Sequence, residues 1–125
     1  MTAFKIAAVT ENGETLSAHF GRADRYRVFT IEDGRVVAEQ ILPKPHHAAH
    51  APGENHSHGE HHHEDMFAPI ADCKVLLCGG MGEPAYRRAL QAGLEVVLSG
   101  GSIEDALQAY LRGELTSDMR RVHRH

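Results

Sequence analysis

From Phe4 to Thr10 apolar residues occupy both alternating sets of positions, Phe4, Ile6 and Ala8 in one and Ala7 and Val9 in the other. A run that is apolar on both faces predicts a central strand. Glu11-Asn12-Gly13-Glu14 breaks the run, and a loop carrying Ser17-Ala18-His19-Phe20-Gly21-Arg22-Ala23 follows. Two β-prone stretches, Tyr26 to Glu32 and Arg35 to Leu42, are separated only by Asp33-Gly34. That dipeptide suits a two-residue type I′ turn, whose central residues both need positive φ, so the pair predicts a hairpin.

Pro43 and Pro45 end the third strand, and from His46 to Asp65 neither helical nor strand periodicity is present. This stretch is expected to be a mobile loop. Met66, Phe67, Ile70 and Ala71 have the spacing of a short amphipathic helix. Val75-Leu76-Leu77-Cys78 is a continuous apolar strand, and Gly79-Gly80-Met81-Gly82 leads into a helix from about Glu83 to Ala92. Pro84 fits its first turn and Gly93 its stop. Leu94 to Leu98 predicts another short strand. Ser102 caps a last helix with Ile103, Ala106, Leu107, Tyr110 and Leu111 on one face, and Gly113 closes it.

A hairpin-bearing first half followed by alternating strands and helices predicts one α/β domain over residues 1–125, a five-stranded mixed sheet flanked by helices. Right-handed crossovers would set the ends of the first and fourth strands side by side at the carboxyl edge, where such sheets bind ligands.

Charge narrows the class. Residues 46–65 hold four of the 17 acids and none of the 13 Lys and Arg, so the remainder is balanced. A neutral body with no basic stripe gives little reason to expect nucleic-acid binding, and no nucleic-acid partner is expected. The one basic patch, Arg120-Arg121-Val122-His123-Arg124-His125, is expected to be a frayed tail within residues 116–125. No apolar run approaches the roughly 20 residues of a membrane span, and the opening residues lack a signal-peptide pattern. A cytoplasmic protein with reduced cysteines is the expectation.

Three groups have the residue types for chemistry. His19, beside Phe20 and Gly21 in a loop leaving a central strand, is either a metal or cluster ligand or a turn histidine bonded to backbone. Cys78-Gly79-Gly80-Met81-Gly82 combines soft sulfur with glycines that admit a close anionic group, or simply ends a strand in the core. It lacks the spacing of a Walker A or a dinucleotide loop. Cys73 lies five residues earlier, about 16 Å along an extended strand, too far to share one metal with Cys78. The third group is the tract His46, His47, His50, His56, His58, His61, His62 and His63. Eight imidazoles among acids, with no Lys or Arg to compete, suit Zn²⁺, Ni²⁺, Co²⁺ or Cu²⁺.

Taken together, Lys5 to Val9, the His19-Phe20-Gly21-Arg22-Ala23 loop and Ile70-Ala71-Asp72-Cys73-Lys74-Val75-Leu76-Leu77 resemble the dinitrogenase iron-molybdenum cofactor biosynthesis family. Ala89 to Val96 and Ala106 to Leu115 are similar as well. The resemblance implies a ribonuclease-H-like motif. It also implies a non-enzymatic protein that carries an iron–sulfur or molybdenum-containing cluster between donor and acceptor proteins, as a monomer or weak dimer. His19, Phe20 and Gly21, with Cys78, Gly79, Gly80, Met81 and Gly82, would then line the cluster cleft. The long His tract departs from the family pattern and supports an alternative, a divalent-metal buffer, chaperone or sensor. A two-metal nuclease on the same motif would need clustered carboxylates. The first strand has no acid, and Asp72 stands alone at the entry to the fourth.

Overall fold

The computed structural model describes residues 3–44 and 66–123. Five strands, β1 (Ala3–Thr10), β2 (Arg25–Glu32), β3 (Arg35–Pro43), β4 (Val75–Cys78) and β6 (Glu95–Leu98), form one sheet in the order β3-β2-β1-β4-β6. β1, β4 and β6 run parallel, whereas β2 is antiparallel to both of its neighbours. A second, two-stranded parallel sheet joins β5 (Met81–Gly82) to β7 (Val122–His123).

The predicted hairpin forms between β2 and β3, with Asp33 at φ 53° and Gly34 at φ 79°, the left-handed pair a type I′ turn requires. Its register shifts between Thr30 and Ile31, where a bulge on β3 interrupts the ladder. Two helices follow, α1 (Glu83–Gln91) and α2 (Ile103–Leu111). The Ser102 Oγ accepts the Asp105 N–H at 3.0 Å and caps α2. Between the His tract and β4 the expected helix is only a single 3₁₀ turn, Ala68–Ile70, held by Pro69 and the Ile70 N–H donating to Phe67 O. One turn suffices there because Phe67 and Ile70 reach the core directly.

The sheet separates two buried clusters, and the pleat assigns side chains to them alternately. Ala7, Val9, Leu76, Cys78, Val96 and Leu98 lie with Ala89 of α1, Phe20 and Phe67 on one face. Ile6, Ala8, Val75, Leu77 and Val97 lie with Ile103, Ala106 and Leu107 of α2 on the other. Strands β1, β4 and β6 thus use both sets of positions, which is why they read as continuous apolar runs.

The C-terminal segment corrects an expectation. Of the residues read as a frayed tail, 117–123 are docked, and 124–125 lie outside the described residues: the Asp118 N–H donates to Leu98 O at 2.9 Å, and the Leu98 N–H donates to Ser117 Oγ at 2.9 Å. Met119–Arg121 form a 3₁₀ turn, Val122 is buried, and β7 pairs with β5. Edge strand β6 leaves backbone groups unpaired, and this segment satisfies those of Leu98.

Candidate functional site

Three turns leave the carboxyl ends of the parallel strands β1, β4 and β6, and they are stitched together through backbone. After β1, the Ser17 N–H returns to Val9 O at 2.9 Å. The Gly79 N–H, following β4, donates to Ser17 O at 2.8 Å, and the Phe20 N–H donates to Gly80 O at 3.0 Å. On the β6 side the Leu16 N–H donates to Gly101 O at 3.0 Å, and the Ile103 N–H donates to Glu14 O at 2.8 Å. The loop bearing His19 is therefore held from both flanks.

His19 itself is exposed. Its N–H donates to Ser17 Oγ at 3.1 Å, and the Ser17 hydroxyl donates to Glu11 Oε2 at 2.8 Å. Its carbonyl accepts the N–H groups of Arg22 and Ala23, closing the turn. His19 enters these bonds only through its backbone, so the turn-histidine reading accounts for the main chain and leaves the imidazole to other use. Across Gly80 stands His123, with the two ring centroids 5.9 Å apart and the planes inclined at 54°.

The glycines at this point are required by crowding. A Cβ on Gly79 would lie 2.6 Å from Ser17 O, and one on Gly80 would lie 2.5 Å from Ala18 O and 3.2 Å from His123 Nε2. Only a residue without a side chain lets β4 exit between the His19 loop and the C-terminal segment. Arg121 lies beside them, its Nη1 donating to Gly79 O at 3.2 Å and its guanidinium against Gly100. Its Nε, 3.7 Å from Asp118 Oδ2, is a buried atom with no hydrogen-bond partner among the described residues.

The structure divides the residues expected to line the cleft. His19 and Gly21 are at the surface, Gly82 is half-buried and caps α1, and Gly79 and Gly80 form the floor. The side chains of Phe20, Cys78 and Met81 are in the core instead. Phe20 stacks on Phe67 with centroids 5.3 Å apart and lies under Lys44 Nζ, 4.3 Å from the ring centroid. The Cys78 thiol donates to Gly80 O at 3.1 Å, and burial pushes it up to about 12. A thiol in this setting stays protonated and behaves as a small hydrophobe. The reason is the pleat: Cys78 is in register with Leu76 and turns toward α1, not outward from the strand end. Cys73 is likewise buried and raised to about 11. Residues 46–63, with the eight histidines, lie outside the described residues. Among the described residues no group of three or more His, Cys, Asp or Glu gathers as a metal site, and no helix is long and apolar enough to cross a membrane.

His123 and Arg121 also stand at this edge, beside Gly80 and Gly79, a placement the sequence did not indicate. Their only sequence signal was membership of a basic chain end, and a two-residue strand leaves no periodicity to detect.

A five-stranded mixed sheet flanked by two helices, with an exposed imidazole at the carboxyl ends of its parallel strands, defines a single-domain α/β protein. The chain belongs to the family described as "Dinitrogenase iron-molybdenum cofactor", whose sequence model matches residues 3–113. Over 109 residues it is 24% identical to the FeMo cofactor biosynthesis protein NifB of Chlorobaculum tepidum, covering 87% of this chain but only 24% of that protein. It is 25% identical to an uncharacterized protein of Methanocaldococcus jannaschii, covering 89% of this chain and 88% of the relative. Among solved structures, the crystal structure of a candidate dinitrogenase from M. jannaschii superposes with a TM-score of 0.67 at 15% identity, covering 94% of this chain and 97% of that one. A candidate NifB protein from Thermotoga, solved by NMR, gives 0.60 at 18% identity, covering 91% and 92%. These last two likenesses are of fold.

Proposed function

We propose that this protein carries a preformed iron–sulfur or molybdenum–iron cluster at the carboxyl edge of its sheet, with His19 as a protein ligand. The observation that carries the reading is the exposed His19 imidazole on a loop whose backbone is pinned by Ser17, Gly79 and Gly80. Pinning the backbone while leaving the ring available is what a ligand needs: the donor is placed in advance, so little order is lost when cargo arrives. Family membership supports the class of cargo. Few protein ligands leave a cluster's other coordination positions open, which favours transfer to an acceptor over permanent residence. On this reading the protein holds and delivers its cargo without turning over a substrate. The order β3-β2-β1-β4-β6, with β2 antiparallel, supports the ribonuclease-H-like reading of the fold.

Anaerobic reconstitution with ferrous iron and sulfide tests this, followed by metal analysis and ultraviolet–visible spectra. Stoichiometric iron with sulfide-to-metal charge-transfer bands, reduced severalfold in His19→Ala, is expected. A colourless protein without stoichiometric iron or molybdenum would overturn the carrier reading.

A second reading rests on a separate observation, the eight histidines between His46 and His63 with no Lys or Arg among them. Such a tract binds Zn²⁺ or Ni²⁺ and would make the protein a divalent-metal buffer or delivery arm. Deleting residues 46–63 is expected to abolish multi-ion Zn²⁺ or Ni²⁺ binding while leaving cluster uptake intact. Retention of all the Zn²⁺ after deletion would remove this reading.

A further inference from the structure

The C-terminal segment contributes to the same edge from the opposite direction. β7 pairs in parallel with β5, Met81 opposite Val122 and Gly82 opposite His123. Val122 is buried in the cluster under α1 and anchors the segment, and Asp118 ties its start to β6. His123 is thereby placed against Gly80, whose missing Cβ leaves space for the ring. On the far side of Gly80 is the loop that carries His19.

Two imidazoles on one metal, each with a metal–nitrogen bond of about 2.0–2.1 Å, hold their ring centroids roughly 5–6.4 Å apart. The His19–His123 separation of 5.9 Å falls inside that range, and the 54° inclination is not that of a stacked pair. The two rings therefore already stand at the spacing of joint ligands to a single metal atom. Arg121, two residues before His123, sets a guanidinium beside Gly79 and Gly100 on the same edge. Its charge is partly offset by Asp118, 3.7 Å from Nε, but guanidinium N–H donors on this edge suit an anionic cluster better than a bare divalent ion.

We infer that His123 is a second protein ligand, and that it binds together with His19 one metal atom of an anionic metal–sulfur cluster. The docked C-terminal segment is then part of the binding site. The inference rests on the carrier reading and adds to it the identity of the second ligand.

The test uses the full chain reconstituted anaerobically with ferrous iron and sulfide, as wild type, His19→Ala, His123→Ala, His123→Gln and the double His19→Ala/His123→Ala variant. Iron and sulfide content are measured, with pulsed electron paramagnetic resonance of the reduced cluster to count coupled imidazole nitrogens. The expected result is two imidazole couplings in the wild type, one in each single variant and none in the double variant. Iron retained after gel filtration is expected to fall at least threefold in each single variant. His123→Gln preserves the backbone pairing of β7, so its loss of one coupling separates ligation from docking. Unchanged couplings and iron content in both His123 variants, alongside a loss in His19→Ala, would overturn the inference and leave the carrier reading standing. A wild-type chain that takes up no cluster would overturn both.

Discussion

His19 and His123, near opposite ends of the chain, bring their rings to 5.9 Å across Gly80. Neither the loop after β1 nor the last strand makes this approach alone. It depends on β4 leaving the sheet between them, and on β5 recruiting the C-terminal segment.

Gly80 is the first point at which the arrangement can be challenged. In Gly80→Ala the new methyl would sit 2.5 Å from Ala18 O with a second contact at His123 Nε2, so two pieces of main chain must part. Overpacking of this kind costs about 1–3 kcal/mol. Gly21→Ala is the control, because nothing lies within 4 Å of its Cβ position, and its stability is expected within about 0.5 kcal/mol of wild type. Urea unfolding of both variants measures the contrast. Equal stabilities would show that the three turns are less tightly joined than described.

The C-terminal segment should contribute measurable stability. Val122 is 7% exposed, and its truncation in Val122→Ala is expected to cost about 1–2 kcal/mol. Removing residues 117–125 should cost more, because Leu98 also loses the Ser117 hydroxyl. Hydrogen exchange at the Leu98 amide reports this directly. Unaltered protection after truncation would mean the segment is not docked in solution.

Cys73 and Cys78 are expected to resist modification. Burial pushes their thiols up to about 11 and about 12, so almost no thiolate is present at pH 8. Native protein should react with a thiol-specific disulfide reagent at least tenfold more slowly than protein in concentrated urea. Cys78→Ala should keep its cluster uptake, since the sulfur faces Gly80 O inside the core. Fast labelling of Cys78 in the native state would contradict that placement.

Lys44 supplies a test in pH. Its Nζ is buried over Phe20 and donates to Ala23 O at 3.0 Å, and burial lowers its pKa from 10.5 to about 8. Between those values the unfolded chain retains a proton that the folded chain has released. Stability linked to this group therefore rises with pH from about 8 to 10.5, as the cost of burying the charge is relieved. Wild type should gain on the order of 1–3 kcal/mol relative to Lys44→Met between pH 7.5 and 10. The raised thiols act in the opposite sense above about pH 9, where an unfolded chain would lose protons first, but they are common to both proteins. Parallel stability curves for the two would rule out the depressed lysine.

Much of the scaffold was legible in the chain because it rests on local rules. Alternation and continuous apolar runs marked β1, β4 and β6 as buried on both faces. Asp33-Gly34 marked the hairpin by its need for positive φ, and Ser102 and Gly93 marked helix ends by capping and chirality. The His19 loop was legible as a candidate because it leaves a central strand at the edge where parallel sheets bind ligands. The sequence also determined that eight histidines stand together without competing cations, a matter of composition alone. Tertiary structure alone decided the rest. Which way Cys78 turns depends on the pleat of its strand, and a cysteine at a strand end has the same sequence signature whether it points to a cleft or into the core. The glycines proved necessary because Ser17 and Ala18 press against them. His123 joined the edge through a two-residue ladder and one buried valine, contacts between residues far apart in the chain that carry no local pattern.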